Sequence, residues 1–358
     1  MSETDAMVLP EPIPVTVVTG FLGSGKTTLI NRLLHELHIG RVAIIENEFG
    51  SVGIDATLLQ QEHSAQMTVV ELSNGCICCS IQGELSDALL QLWQQRANAE
   101  IAFERIVIES TGLADPTLIA QMFFTQAQLR ERYQLDGVLT VVDAIHAMQQ
   151  LDEHPVAVAQ VAFADVLLLS KTSAVAQTAY DELVMRLRQI NAKASLHDMA
   201  QFDDWSALFN QNGFYLDERI LPLTAQYQTL HSLHSAQAQT QTQTQTHGPL
   251  LTAHRSWADN IGSVVLRHDA PMDLARVGQF VETLVEQFGH DLLRYKGILA
   301  IADEPRRLIF QGVHKVVGYD YGREWQADES ASSVMVLIGR GLDEAKLSAQ
   351  LAACVAES

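Results

Sequence analysis

Residues 15–29 read V-T-V-V-T-G-F-L-G-S-G-K-T-T-L, and the class of the fold follows from them. The apolar, β-branched run at the start predicts a buried strand. The segment Gly20–Thr27 fits G-x-x-x-x-G-K-[ST] at every fixed position. Leucine and isoleucine then recur at helical spacing from Leu29 to Leu37. Strand, glycine loop and helix in this order predict a loop that binds phosphate groups.

The residue types in this loop fit a nucleoside triphosphate. Glycines let backbone N–H groups curl around an anion, and the helix N-terminus adds its positive end. Lys26 is expected to reach the β- and γ-phosphates, and the Thr27 hydroxyl is expected to hold Mg²⁺. The sequence therefore predicts a protein that binds a nucleotide.

Composition limits the remaining possibilities. The chain has 358 residues, 47% of them hydrophobic, and a formal net charge of −20. This length favours two domains, and the charge argues against nucleic acid or anionic membranes as partners. The start of the chain has no apolar core typical of a signal peptide, and no uncharged apolar stretch approaches the ~18 residues of a membrane span. We therefore expect a cytoplasmic protein.

Apolar strands alternate with helical segments after the loop, which predicts a parallel sheet covered by helices on both faces. Arg105–Glu109 is an apolar strand that ends on an acid, typical of a Walker B element. Glu109 would then reach Mg²⁺, and the Gly112 N–H would contact the γ-phosphate. The other predicted strands are Arg41–Phe49, Val69–Leu72, Asp136–Ala144 and Ala164–Ser170; the predicted helices are Leu85–Trp93, Ile145–Phe163, Tyr180–Ile190 and a short one at Trp205–Phe209.

Three of the four cysteines lie within four positions, at Cys76, Cys78 and Cys79. Thiolates are preferred ligands of Zn²⁺ and Cu(I), so this cluster predicts a soft-metal site. No second cysteine pair completes a Cys₄ site, so a carboxylate, histidine or water would complete it and the metal would be exchangeable. Ordinary buried cysteines and a redox dithiol stay open as alternatives. The remaining thiol, Cys354, is expected to be buried or inert.

The segment Ser170–Ser173 reads S-K-T-S where GTPases carry N-K-x-D or T-K-x-D. Lys171 is present, but Ser173 replaces the aspartate that accepts both N–H groups of the guanine edge. Loss of that charged acceptor is expected to cost about 1.5–3 kcal/mol, or roughly ten- to a hundredfold in guanine preference. The choice between guanine and adenine stays open.

The remainder of the chain divides into a linker and a second domain. We expect a disordered N-terminus at 1–13, a nucleotide-binding domain at 14–222, a Gln/Thr/His-containing linker at 223–260 and a C-terminal domain at 261–358. Histidines in and beside the linker either capture a metal transiently or are incidental; they are His231, His234, His247 and His254. The C-terminal segments predict a small α+β sheet with helices on one face: strand Ser263–His268, helix Leu274–Phe288, strands Leu292–Ala302, Arg307–Lys315 and Ser333–Gly339, and helix Asp343–Val355.

The motifs T-G-F-L-G-S-G-K-T-T, E-N-E-F-G, N-G-C-I-C-C and E-S-T-G-L-A-D-P together resemble the CobW family of metal-trafficking GTPases. Segments 293–297 and 310–313 resemble that family's C-terminal domain, especially its YjiA-type branch. The resemblance implies a parallel-sheet P-loop G domain of the SIMIBI class followed by a small α+β CobW C-terminal domain. It also implies slow GTP hydrolysis coupled to delivery of zinc, or another transition metal, to a client metalloprotein.

The resemblance assigns roles by motif position. Thr27 and Glu109 would hold Mg²⁺, Cys76, Cys78 and Cys79 would hold the transferable zinc, and Glu46 is a further candidate zinc ligand. Catalysis would fall to Lys26, Thr27 and Glu109. The expected nucleotide-binding residues are Gly20, Gly23, Ser24, Gly25, Lys26, Thr27, Thr28, Gly112 and Lys171. The sequence departs from the family at two places: the guanine motif reads S-K-T-S, and Ser51 stands where members usually carry an acid, a possible metal ligand.

Two other functions compete with the metallochaperone. A P-loop kinase acting on a small molecule would need an arginine-rich lid, and the sequence near the nucleotide motifs has no such segment. A passive zinc buffer would bind nucleotide without using it. The client protein and the physiological metal stay open, as does a homo-oligomeric state.

Overall fold

The computed structural model describes residues 12–36, 41–46, 67–71, 81–209, 211, 261–326 and 329–357, with the side chains of 34–36, 67–71 and 81 excepted. Within these ranges the chain forms a parallel α/β domain and an antiparallel C-terminal domain. Both predicted fold classes are confirmed.

Seven of the described strands form one parallel sheet in the order β3-β2-β4-β1-β5-β6-β7. Their bounds are β1 Ile13–Thr19, β2 Val42–Glu46, β3 Met67–Glu71, β4 Arg105–Glu109, β5 Tyr133–Asp143, β6 Val166–Ser170 and β7 Ser195–Asp198. Strand β1 lies between β4 and β5, and the chain leaves its carboxyl end through the glycine loop. The loops after β4, β5, β6 and β7 open at the same edge, where ligands of open parallel sheets bind.

Helices cover both faces of this sheet. They are α1 Lys26–Glu36, α2 Ile81–Ala97, α3 Pro116–Thr125, α4 Ala127–Arg130, α5 Ala147–Glu153, α6 Pro155–Phe163 and α7 Gln177–Ile190, with short 3-10 turns at Thr172–Ala174 and Trp205–Leu208. Side chains alternate along β1, so Val15 and Val17 pack with α2 and α3 while Val18 packs with α1.

The prediction of a single helix at 145–163 is wrong. Pro155 has no N–H to donate and His154 before it is extended, so the segment splits into α5 and α6.

The C-terminal domain is a five-stranded antiparallel sheet in the order β11-β10-β9-β12-β8. Its strands are β8 Ile261–His268, β9 Leu292–Leu299, β10 Arg306–Val313, β11 Val316–Glu324 and β12 Ser333–Arg340; its helices are α8 Leu274–Phe288 and α9 Glu344–Ala352, with a 3-10 turn at Gly289–Asp291. Alternation along β12 sends Met335 and Leu337 toward α8 and α9. The opposite side chains, Val336 and Ile338, pack against the nucleotide-binding domain. The helices therefore lie on one face, as predicted, and the other face contacts the first domain.

Several predicted features need comment. Strand β1 begins at Ile13, one residue before the predicted domain boundary. Residues 1–11 and the whole predicted linker at 223–260, with its histidines, lie outside the described residues. Cys354 is buried two residues after the end of α9, as expected. Within the described part of the chain, no helix has the length and apolar content to cross a membrane.

Candidate functional site

The glycine loop after β1 has a backbone that only glycine accommodates at its first position. Gly20 has φ 140°, and a Cβ there would lie 2.3 Å from the Val141 carbonyl oxygen and 2.8 Å from Ser24 Oγ. Gly23 and Gly25 also have positive φ, at 70° and 103°. The Ser24 N–H donates to the Phe21 carbonyl at 3.2 Å, closing the turn before α1 begins at Lys26. This combination of turn and helix N-terminus is an anion-binding geometry.

Lys26 lies against this loop. Its Nζ donates to the carbonyl oxygens of Gly20 at 3.1 Å and Phe21 at 3.4 Å. The ammonium is therefore held beside the loop backbone, where a bound phosphate would meet it. Thr28 is exposed at the start of α1, while Ser24 is fully buried.

Thr27 and Glu109 come together although they lie far apart in the sequence. Thr27 Oγ1 donates to Glu109 Oε1 at 3.2 Å. Glu109 ends β4, which pairs with β1 on one side and β2 on the other, and Glu46 at the end of β2 is its register partner. A hydroxyl and a carboxylate are the hard oxygen ligands that Mg²⁺ prefers. The two residues thus fit a magnesium ion beside the phosphate loop.

Gly112 lies directly against the phosphate loop. A Cβ at Gly112 would lie 2.6 Å from Leu22 N and 2.8 Å from Leu22 Cα. The buried Gln160 side chain of α6 donates to the carbonyl oxygens of Gly112 and Ala114, both at 3.1 Å. Sequence reasoning missed Gln160; the signal was a lone amide in the otherwise apolar helix P-V-A-V-A-Q-V-A-F. Its two hydrogen bonds fix the segment that follows Glu109.

Lys171 is held over the same edge by two acceptors. It adopts a left-handed conformation with φ 58°. Its Nζ donates to the Gly23 carbonyl at 2.9 Å and to Asp143 Oδ2 at 2.7 Å. The side chain therefore spans from the end of β6 to the phosphate loop.

Asp143, at the end of β5, is a functional candidate that sequence reasoning missed. Burial opposes its ionisation, but hydrogen bonds from Lys171, from His146 Nδ1 at 2.9 Å and from the Ile145 N–H at 2.9 Å outweigh burial. These contacts hold the pKa of Asp143 below its usual range. The anionic carboxylate in turn orients the Lys171 ammonium.

Two groups of polar contacts between described residues join the two domains. In the first, Asp165 Oδ1 lies 2.7 Å from Arg294 Nη2 and 3.6 Å from Lys296 Nζ. In the second, His314 Nε2 lies 3.3 Å from Thr117 Oγ1. Burial lowers the pKa of His314, so a neutral imidazole is favoured there. The second contact lies at the start of α3, close to the segment that carries Gly112.

The predicted zinc site is only partly described. Glu46 is buried at the end of β2, whereas Cys76, Cys78 and Cys79 lie outside the described residues. Within the described ranges, no group of three or more histidine, cysteine, aspartate or glutamate side chains has a metal-binding arrangement.

Comparisons with known proteins agree with this architecture. The family described as "CobW/HypB/UreG, nucleotide-binding domain" matches residues 14–198, and "Cobalamin synthesis protein cobW C-terminal domain" matches residues 261–355. The chain is 40% identical to the zinc chaperone YjiA of Escherichia coli (strain K12) over 342 residues, covering 95% of this chain and 98% of that protein. It is 31% identical to the zinc chaperone CobW of Pseudomonas aeruginosa, covering 96% and 92% respectively.

A solved structure shows the same similarity. The crystal structure of Zn(II)-bound YjiA GTPase from E. coli superposes with a TM-score of 0.70 at 36% identity, covering 96% of this chain and 99% of that one.

Proposed function

We propose, from the premise that this chain belongs to the CobW family of P-loop GTPases, that it hydrolyses GTP and carries zinc for transfer to a client metalloprotein. The observation that carries the proposal is the contact between Thr27 and Glu109 beside a glycine loop built for an anion. A cytoplasm keeps thiols reduced, so Cys76, Cys78 and Cys79 would stay available for metal there.

The phosphate chemistry follows from the residues around the loop. Backbone N–H groups of Gly20–Thr27 would bind the β- and γ-phosphate oxygens, and Lys26 would move from its loop carbonyls to those oxygens. Thr27 and Glu109 would hold Mg²⁺, which neutralises charge that develops on the phosphates when it is bound. Gly112, packed against Leu22, would respond to the γ-phosphate at the turn after β4.

The order of strands supports a link between the nucleotide and the zinc. Glu71, Glu46 and Glu109 are register partners across β3, β2 and β4. Adjacent strands lie about 4.8 Å apart, so β3 ends about 10 Å from the end of β4. Cys76 follows Glu71 by five residues, a reach of at most about 17 Å. The chain therefore leaves the sheet at Glu71, two strands from Glu109, and this short span favours a zinc site whose environment would change with the loops around the nucleotide.

The test is an anaerobic zinc titration of the wild type and Cys78→Ser, each with and without GTP. We expect Cys78→Ser to weaken zinc binding, whereas Cys354→Ser, a buried thiol in the other domain, serves as the matched control and leaves it unchanged. We expect GTP to change the zinc affinity of the wild type by about 5–150-fold, the usual range of coupling between two sites. Linkage requires zinc to change GTP affinity by the same factor.

Lys26→Ala separates this proposal from a passive zinc buffer. We expect the variant to lose GTP binding while it retains zinc, with a zinc affinity that no longer responds to GTP. Equal zinc affinity of the wild type with and without GTP, and no activation of a client, would instead favour the buffer.

A further inference from the structure

The S-K-T-S segment lacks the acidic side chain that accepts hydrogen bonds from guanine in GTPases. In the structure Thr172–Ala174 form a single 3-10 turn after Lys171, and Ser173 is exposed on it. A serine hydroxyl accepts at most one of the two hydrogen bonds that the guanine edge offers, and it carries no charge. Any guanine preference therefore needs a second acceptor beside this turn.

Such an acceptor lies on the neighbouring strand. Strands β6 and β7 are parallel partners, with Leu169 in register with Asp198. The Thr172 hydroxyl donates to Asp198 Oδ1 at 3.0 Å. The carboxylate of Asp198 is therefore in direct contact with the turn that carries Ser173.

The hydrogen bonds of Asp198 leave one of its oxygens open to a ligand. Oδ1 accepts from Thr172 and from the Ala200 N–H at 2.9 Å, which uses both of its lone pairs. Oδ2 accepts only from the exposed side chain of Gln201, at 3.2 Å, among the contacts described. A ligand can use the second lone pair of Oδ2 and can displace the exposed amide of Gln201.

We propose that Asp198 supplies the carboxylate missing from the S-K-T-S segment and makes the nucleotide site selective for guanine. This inference rests on the proposed function, because it assumes a triphosphate at the glycine loop. The phosphates would lie at the end of β1, and the Lys171 side chain runs from that loop to β6. The base would then extend toward β6 and β7, where Asp198 lies.

The chemistry favours guanine over adenine. The N1–H and the 2-amino group of guanine are both donors, and a carboxylate accepts from both kinds of group. Adenine presents an unprotonated N1, whose lone pair a carboxylate repels. Asp198 Oδ2, together with the exposed Ser173 hydroxyl on the adjoining turn, would therefore accept from guanine and disfavour adenine.

The variant Asp198→Asn tests this directly. Asparagine keeps a carbonyl oxygen for Thr172 and Ala200, so the local fold is preserved, and places an amino group where Oδ2 was. Loss of a charged hydrogen bond predicts GTP binding weaker by about ten- to a hundredfold, measured by calorimetry on the full chain. ATP binding should change little, and XTP binding should strengthen, because the new amide donates to the xanthine 2-oxygen.

Two further variants control the test. Asp203→Asn removes an exposed carboxylate five residues along and should leave GTP, ATP and XTP binding unchanged. The double variant Asp198→Asn with Ser173→Asp returns an acid to the usual motif position and should recover GTP binding at the expense of XTP.

Each possible result of these binding measurements either supports or overturns the assignment of Asp198. A selective loss of GTP binding with a gain for XTP supports the assignment. GTP and ATP binding that fall together, or GTP binding that stays unchanged, would overturn it and leave Asp198 as a brace for the turn. A wild type that binds ATP as tightly as GTP overturns the assignment but leaves the triphosphate site intact. A wild type that binds no triphosphate overturns the proposed function as well.

Discussion

Replacing Arg294 by methionine should lower the free energy of unfolding substantially, because it removes a buried ion pair between the two domains. Arg294 Nη2 lies 2.7 Å from Asp165 Oδ1, and its Nη1 donates to the Phe163 carbonyl at 2.8 Å. Both charged side chains are almost completely buried, with 4% of Arg294 and 9% of Asp165 exposed. Removing one member of a buried pair costs about 3–5 kcal/mol, because the other charge is left in a poorly solvating environment. Lys296 still lies 3.6 Å from Asp165, so we expect the lower end, about 3 kcal/mol.

The measurement is urea-induced unfolding followed by tryptophan fluorescence, at neutral pH and fixed ionic strength. Arg340→Met is the control, because its ion pair with Asp291 is longer, at 3.4 Å, and much more exposed. That exposed pair should be worth only about 0–1 kcal/mol. A double-mutant cycle with Asp165→Asn should give a large coupling energy. The double variant loses both charges together, so it should be destabilised by less than the sum of the two single variants.

The pH dependence provides an independent check. Burial opposes ionisation of Asp165, but Arg294 and Lys296 outweigh it and hold the pKa of Asp165 below its usual range. A lowered carboxyl pKa stabilises the folded state above the unfolded pKa of about 3.9, and the contribution is lost as pH falls through the folded value. In Arg294→Met less positive charge offsets the burial of the Asp165 carboxyl, so its pKa should be higher. The loss of stability should then begin at a higher pH. A cost for Arg294→Met no larger than that for Arg340→Met, or an additive cycle with Asp165→Asn, would show that the buried ion pair contributes little to stability.

Three further outcomes follow from single sites. Gly112→Ala places a methyl group 2.6 Å from Leu22 N, so we expect about 1–3 kcal/mol of destabilisation and triphosphate binding weakened by at least tenfold, measured by unfolding and calorimetry. Gly278→Ala, at an open and exposed position of α8, should instead stabilise the chain by about 0.5–1 kcal/mol without affecting nucleotide binding. Burial, together with repulsion from neighbouring cations, lowers the pKa of Lys296 to about 7. The unfolded chain therefore binds the proton more tightly, so stability should rise with pH from about 7 toward about 10, and Lys296→Met should remove part of that slope in a pH series of unfolding curves.

Long apolar runs and glycine motifs made most of the nucleotide-binding domain predictable. The strands at β1, β4 and β6 were found because they are buried on both faces and read as continuous hydrophobic segments. Strands β7 and β11 were missed because both lie at sheet edges and carry many polar residues. Helix α3 was also missed, although Asp115 accepts a hydrogen bond from Thr117 N and Pro116 begins the helix, a recognisable start signal.

The residues of the candidate site also divide into those that the sequence predicts and those that only the structure reveals. The residues of the glycine loop and Glu109 could be predicted as site residues because the motifs that contain them are local in the sequence. Asp143, Gln160 and Asp198 could not, because each contacts a partner that is distant in the sequence and that only the fold brings near. Periodicity shows that a face is buried, but it does not show which other face covers it.

A short chain of contacts connects the glycine loop to the C-terminal domain. The Asp115 carboxylate accepts from Thr117 Oγ1 at 2.6 Å, and the same hydroxyl lies 3.3 Å from His314 of the C-terminal domain. Gly112, three residues before Asp115, lies against the glycine loop and is held by Gln160. Movement of Gly112 away from the loop must therefore break the Gln160 contacts or carry the start of α3 with it. In the second case the contact with His314 would change too, so the shift of Gly112 that we propose for nucleotide binding would reach the C-terminal domain through residues 112–117.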